Sequence, residues 1–471
     1  MSEVIEIEQP DKGVWAIIKE AVGGSQRDFT IGPLGTAIFL LAVPMILEMM
    51  MESVFAVVDV FLVAKLGAGA VAVVGLTESM LALVYALAIG LSVGATAMVA
   101  RRIGEKDPEG AAKSAVHAVY LGIIISAILS VVGINFAPYF LQLLGAEPAV
   151  IAEGTNFTKI MLGGNAVIVF LFLLNGIFRG AGDAAIAMRV LWLANILNII
   201  LAPCFIFGLL FFPRLGVTGA AVATNIGRGI GVLFAISNFF KPSSRVTIAR
   251  RHFKLDPVLL WQLLKLSSSA MVQYTIGTAS WIGLVRVISG FGSEVLAGYT
   301  IGLRVIVFAL LPSLGMSNAA ATLVGQSLGA GKPERAEQAV WRAGLYSACF
   351  LGIVGLFFIV FARQIVNLFT PDLVVERYAA DCLRIVSLGF FFYGFGIVTE
   401  QAFNGAGDTW TPTMLNLFVF WLFEIPFAYA LAYHFGLGPY GVFWAITAAF
   451  SILAIAAAIL FRRGKWKTKT V

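Results

Sequence analysis

"PMILEMMMESVFAVVDVFLVAKLG", residues 44–67, decides which solvent this chain folds in. The stretch is long enough to cross hydrocarbon as a helix, which takes about 20 mostly apolar residues. It nevertheless carries Glu48, Glu52 and Asp59. Similar apolar runs recur along nearly all 471 residues, and 59% of the chain is hydrophobic against 12% charged. A soluble protein carries roughly 25% charged residues. In lipid an open strand leaves its backbone groups unsatisfied, so the runs read as helices.

The pattern predicts an all-α polytopic membrane protein with twelve transmembrane helices in two pseudo-symmetric six-helix bundles. The spans run near 33–62, 69–100, 114–144, 151–179, 187–211, 217–240, 258–290, 295–328, 336–362, 376–404, 411–434 and 440–462. Pro44, Pro203, Pro312 and Pro426 fall inside spans, where proline bends a helix. Pro44 and Pro203 are the conformational candidates.

Positive charge orients the chain. With both termini inside, inner segments hold most of the 32 Lys and Arg residues, among them Lys12, Arg101, Arg102, Arg179, Arg189, Arg250, Arg251 and Arg335. Outer loops hold only Lys65, Arg214, Arg363 and Arg377. The expectation is a multi-pass protein of the plasma (inner) membrane with both termini cytoplasmic. The isoelectric point near 9.2 then reflects anchoring to anionic lipid and does not point to nucleic acid. "GVWAIIKEAVGG", 13–24, reads as a short interfacial helix and not as a cleaved signal. Cys204, Cys349 and Cys382 all fall in spans, as packed apolar thiols and not a disulfide framework.

The chain repeats itself. "FRGAGD" at 178–183 returns as "FNGAGD" at 403–408, and "GEKDPEGA" at 104–111 as "GAGKPERA" at 329–336. "LGAGAVAVVGL" at 66–76 matches "FGSEVLAGYTI" at 291–301 at the same offset. The domains expected are an N-terminal segment 1–32, an N-lobe 33–240, a cytoplasmic linker 241–257, a C-lobe 258–462 and a basic tail 463–471. Six spans in each half put the pseudo-symmetry axis along the membrane normal, with a central cavity. Each "GAGD" reads as a tight turn with Asp183 or Asp408 capping the next helix. "SGFG" and "KLGAG" read as outer turns, and Gly90, Gly94 and Ala95 permit close helix contact.

Taken together, the "P…VVDVFLVAKLG" first span, the paired "GAGD" and the duplicated halves resemble the MATE (multidrug and toxic compound extrusion) family, over roughly residues 33–462. The resemblance implies two lobes in a V, alternating access, and efflux of amphipathic, often cationic compounds driven by protons or sodium. Asp59 stands at the family's first-span acid. Asn198, Pro203 and Thr224 match residues near that polar site, whereas Ala202 stands where the family often has an acid. In the seventh span, where some branches carry an acid, this chain has Gln273 and Arg286.

At about 100° per residue, Glu48, Glu52 and Asp59 share one helix face over about 16 Å of axis. Glu78 is a fourth carboxylate in the same half. A buried acid costs about 2.5–3.5 kcal/mol on insertion scales, and escapes that cost by facing water, pairing or holding a proton. Asp59 is therefore the main candidate for coupling to H+ or Na+. Glu52, Glu48, Glu78, Asn198 and Thr224 complete the candidate ion-coupling and substrate set. Glu52 has a second reading as a structural partner of Arg228, Arg286 or Arg304. Gln273, Arg286 and Arg304 are secondary cavity candidates. Arg286, Arg304, Glu400 and Glu424 otherwise read as structural groups of the C-lobe, and Asp381 with Arg384 as an i,i+3 pair.

The expected function is a secondary antiporter exporting amphipathic, cationic small molecules, with no cofactor beyond the coupling ion and no oligomeric partner. A flippase for a lipid-linked precursor is the alternative. His117, His252 and His434 are scattered away from metal-ligand spacing. No Ser–His pair or nucleotide loop suggests an enzyme.

Overall fold

A computed structural model describes residues 14–241 and 244–470. Residues 1–13 with Lys12, linker residues 242 and 243, and residue 471 of the tail lie outside the described residues. The regular elements among the described residues are all helical. A short α1 (Val14–Gly23) occupies the expected "VWAIIKEAVG" stretch and packs on α2 (Leu34–Ala64). The first half continues with α3 (Ala68–Gly104), α4 (Pro108–Leu143), α5 (Pro148–Gly163), α6 (Asn165–Ala181), α7 (Ala184–Phe207) and α8 (Val217–Asn238). The second half holds α9 (Pro257–Ile288), α10 (Ser293–Gly329), α11 (Pro333–Val366), α12 (Leu373–Ser387), α13 (Phe390–Gly405), α14 (Trp410–Asn416), α15 (Ile425–Tyr429) and α16 (Pro439–Arg462).

Ten helical spans are long and apolar enough to cross a membrane, and α12 with α13 forms one more, bent by 59°. α9 is the twelfth. Its 32 residues reach about 48 Å, but Gln262, Lys265, Ser267, Ser268, Ser269 and Gln273 keep it below an apolar threshold. Ser267, Gln273 and Ser280 are buried against protein, whereas Gln262, Lys265 and Ser268, toward the start of the helix, are exposed.

The broken spans show how freed backbone groups are satisfied without water. The fourth span breaks at Gly164 between α5 and α6, and Ser130 Oγ donates to Gly163 O at 2.7 Å. The tenth breaks at Leu388–Gly389, and Thr447 Oγ1 donates to Ile385 O at 3.0 Å. The eleventh span is continuous from Trp410 to His434. It passes through π-helical stretches at Leu417–Glu424 and Ala430–His434 on either side of α15.

The glycine turns stand as expected, with Gly182 at φ 88° and Gly407 at φ 83° after α6 and α13. Their aspartates differ from expectation. The Asp183 side chain does not cap α7. It accepts from Arg245 N at 3.1 Å and pairs with the Arg245 guanidinium at 3.4 Å, tying the linker to the turn. A charged partner outcompetes a helix-end amide for one carboxylate. Burial pushes the Asp183 carboxyl up, and Arg245 opposes that shift. Asp408 accepts from Thr411 Oγ1 at 2.7 Å and pairs with Lys469 at 3.2 Å.

The described linker is no free tether. Glu109 on α4 accepts from Arg251 and from His252, and Tyr120 OH donates to Phe253 O at 2.8 Å. The amide of Asp256 donates to His117 Nε2 at 2.8 Å. N-terminal segment, linker and C-terminal tail all gather at one end of the bundle, called here the terminal end.

The halves meet in a symmetric embrace. α2 packs on α10, and α9 packs on α3. A Cβ on Gly90 would stand 2.4 Å from Met271 N, and one on Gly315 2.7 Å from Ile46 N. At the terminal end, a Cβ on Gly104 would lie 2.0 Å from Gln326 O, and one on Gly329 2.1 Å from Arg101 O. Both pairs of glycines are related by the sequence repeat. Small residues let the helix backbones touch, as membrane helices require for close association. Around them, Gln326 Nε2 donates to Gly180 O at 2.9 Å and Thr322 Oγ1 to Arg179 O at 3.1 Å. Arg101 Nη2 donates to Ala406 O at 3.2 Å and to Lys469 O at 2.9 Å.

Gly104→Val and Gly329→Val should each pry this end open. Overpacking of this kind costs about 1–3 kcal/mol. Ser327 is 1% exposed. A Ser327→Cys probe in a Cys349→Ser background should therefore label with maleimide at least about fivefold more in either variant. Gly35→Val, whose Cβ meets nothing within 4 Å, should leave labelling unchanged.

Candidate functional site

The three acids of the first span receive three different environments. Glu48 is 2% exposed. Its Oε1 accepts from Arg179 Nη1 and from Asn175 Nδ2, both at 3.2 Å. Arg179 Nη2 also reaches Ser92 Oγ at 3.4 Å. The sequence reading placed Arg179 among the inner anchors. Instead it turns inward, because Glu48 offers it a charged partner inside the bundle. Asn175 and Arg179 stand four residues apart on α6 and so share a face, a spacing that was legible but not used.

One turn further along α2, Glu52 Oε2 accepts from Asn195 Nδ2 at 2.9 Å, and Oε1 from Arg228 Nη2 at 3.5 Å. Of the three arginines considered for Glu52, Arg228 is the one in contact. Arg228 is 3% exposed. It donates to Tyr85 OH at 2.9 Å and lies over the Phe55 and Tyr85 rings at 5.5 and 5.8 Å. Burying a guanidinium at this depth requires such a cage of acceptor, carboxylate and π faces.

Asp59, two turns beyond Glu52, has no such partner. Its Oδ1 is buried without a hydrogen bond. Arg228 acts on it electrostatically, and Asp59 in turn acts on the exposed Glu78. Asn198 and Thr224 come together, with Asn198 Nδ2 donating to Thr224 Oγ1 at 2.8 Å. Neither hydrogen-bonds Asp59. Ala202 is buried in the apolar core of the first half.

In the second half, Gln273 Nε2 donates to Glu400 Oε1 at 2.8 Å, and the Asn416 amide stands near Glu400. Tyr274 stands close to Glu400 and Gln401 and feels the charge of Arg179 across the two halves. Arg286 and Arg304 are exposed, and Arg304 acts on Glu78. Asp381 and Arg384 form the expected pair at 3.4 Å. Pro44 and Pro203 lie inside α2 and α7.

Comparison with known proteins gives a consistent picture. A MatE family profile matches residues 44–204 and 270–430. The probable multidrug resistance protein NorM of Thermotoga maritima is 27% identical over 444 residues, covering 92% of this chain and 93% of the relative. A solved multidrug resistance MATE family transporter of the MOP superfamily, in an outward-facing conformation, superposes with a TM-score of 0.87 at 29% identity, covering 94% of this chain and 98% of that one. A MOP superfamily transporter from Pyrococcus furiosus superposes with a TM-score of 0.88 at 28% identity, over 94% and 98% of the two chains. That structure is described as having a binding pocket of reversed polarity that suggests a different function.

The paired acids make a direct test. Removing one partner of a buried ion pair costs about 3–5 kcal/mol, whereas replacing both by apolar groups is often neutral. Arg179→Met should lower the thermal midpoint of the solubilised protein sharply. Glu48→Leu combined with Arg179→Met should recover most of the loss. A double variant as unstable as the single one would show that the two charges do not support each other.

Proposed function

The chain belongs to the MatE family, and on that premise we propose that it exports amphipathic organic cations across the plasma membrane in exchange for protons. One observation carries this reading. Of the three carboxylates on the first span, Glu48 and Glu52 each have an arginine, and Asp59 alone makes neither a hydrogen bond nor an ion pair among the described residues. A carboxylate in that position has to take a cation, and a cation that arrives from either side in turn is what coupled exchange requires. The pairs behind it hold α2 against α6, α7 and α8, so that Asp59 is presented on a fixed helix.

The choice of proton over sodium rests on the neighbouring oxygens. Sodium needs several oxygen ligands around the acid. Asn198 and Thr224 would supply them, but each is engaged with the other. Glu78 extends the acidic region beyond Asp59. The basic terminal end favours placing the linker and both termini in the cytoplasm. The exporter acts as a monomer surrounded by lipid.

A second reading has its own observation. Arg286 and Arg304 are exposed and make no ion pair among the described residues. Two unpaired guanidiniums suit an anionic headgroup, which favours flipping of a lipid-linked precursor.

Transport in liposomes separates these. Ethidium export should follow an imposed pH gradient, ignore a sodium gradient, and fall to background in Asp59→Asn. Wild-type rates in that variant would remove Asp59 from coupling. Absence of dye movement under both gradients, with flipping of an anionic lipid instead, would favour the second reading.

A further inference from the structure

The second half contains a buried acid that none of the arrangements above employs. Glu424 sits midway along the eleventh span, where the first π-helical stretch ends and α15 begins. It is 1% exposed. Among the described residues, no hydrogen bond or ion pair reaches its carboxyl. It lines a narrow cavity of about 20 Å³ together with Trp281 from α9, Tyr299 from α10, Val386 from α12, Tyr393 from α13 and Phe450 from α16. A space of that size holds one water-sized guest and excludes a drug molecule.

We infer that Glu424 is a second proton-carrying site, held inside the C-terminal half and separate from Asp59.

The groups facing it decide the occupant. Tyr299 and Tyr393 are the titratable residues against it, and each feels its charge. Cys382 on α12 acts on those tyrosines and not on Glu424. The remaining lining residues, from α9, α10, α12 and α16, are apolar or aromatic, and no cation stands among them. An ionised carboxylate there would be uncompensated. One acid and two phenols are too few oxygens for a sodium ion, but they suit a protonated carboxyl. Proton release breaks the carboxyl O–H bond and passes the proton to a water admitted to the cavity, leaving the carboxylate. Uptake reverses the step.

The helix that carries Glu424 is made to deform. π-helical turns are rare and recur at functional sites. Pro426, two residues on, has no N–H to give the carbonyl of Leu422. By the sequence repeat the eleventh span matches α7, and Glu424 falls at the position next to Asn198. In α7 that region is neutral and closed by the Asn198–Thr224 bond. In the eleventh span it holds an acid and a cavity.

The use of this proton in transport rests on the exporter reading, but the site does not, so its test is read on protein at rest. Infrared difference spectra of wild type against Glu424→Gln, in lipid at pH 7, should show the carbonyl band of a protonated carboxyl. That band should shift in D₂O, because a carrier exchanges with water. It should be retained in Asp59→Asn. Tyr393→Phe should move the band without abolishing it, and gives a second readout if Glu424→Gln folds poorly. No band, or one that never shifts in D₂O, would overturn the inference, the second outcome making Glu424 a sealed structural acid. Loss of the band with sodium chloride but not choline chloride would also overturn it, in favour of a sodium site. Failure of dye export would leave all of these results standing and bear only on the exporter reading.

Discussion

The absence of water inside the bilayer governs this structure. Every backbone amide and every charge in a span needs a partner from the protein or a reason to go without one. The chain meets the first demand by being helical throughout its spans, and by placing Ser130 and Thr447 where two spans break. It meets the second with two buried arginines, each matched to one acid of α2. Groups left over after that matching, Asp59 and Glu424 foremost, are where a mobile cation has something to do.

The halves share a scaffold and differ in chemistry. Repeat-related glycines set both contacts between them, Gly90 with Gly315 and Gly104 with Gly329. Even the indole ties recur. Trp192 in α7 donates to Leu47 O on α2, and Trp421 in the eleventh span donates to Ile276 O on α9. The charges do not recur. The first half neutralises Glu48 and Glu52 with arginines, whereas the second surrounds Glu400 with amides and Glu424 with phenols and apolar groups. Duplication supplied the frame, and substitution inside it made the two interiors chemically distinct.

How much of this is legible in the sequence follows from how local each feature is. The spans, the repeat and the Asp381–Arg384 pair depend on neighbours along the chain, and they read correctly. α9 also reads as a span, near 258–290, but which of its polar residues are covered, as Ser267 and Gln273 are, depends on helices that the sequence does not place beside it. Arg179 looks like an interfacial anchor until the fold brings Glu48 within reach. Asp183 looks like a helix cap until Arg245, in the linker, arrives to claim it. The isolation of Glu424 is harder still, since it is defined by what five other helices fail to provide.

The same distribution of charge bears on how the molecule moves. Among the described residues every ion pair lies within one half, within the N-terminal segment, between the linker and the first half, or between the tail and the second half. None joins the halves. What crosses the seam at the terminal end are hydrogen bonds from Arg101, Thr322, Gln326, Lys332 and Arg335 to backbone carbonyls, laid over glycine contacts and an apolar core that α2 shares with the second half. A typical neutral bond of this kind is worth about 0.5–1.5 kcal/mol, and one to a charged group about 1.5–3 kcal/mol. Buried ion pairs, by contrast, cost about 3–5 kcal/mol to break by loss of one partner. Rocking of the halves, the motion that the proposed exchange requires, thus parts hydrogen bonds and apolar contacts and spares the ion pairs. Each half travels with its ion pairs intact, while groups bonded across the seam, Arg101 among them, meet new surroundings as it opens and closes.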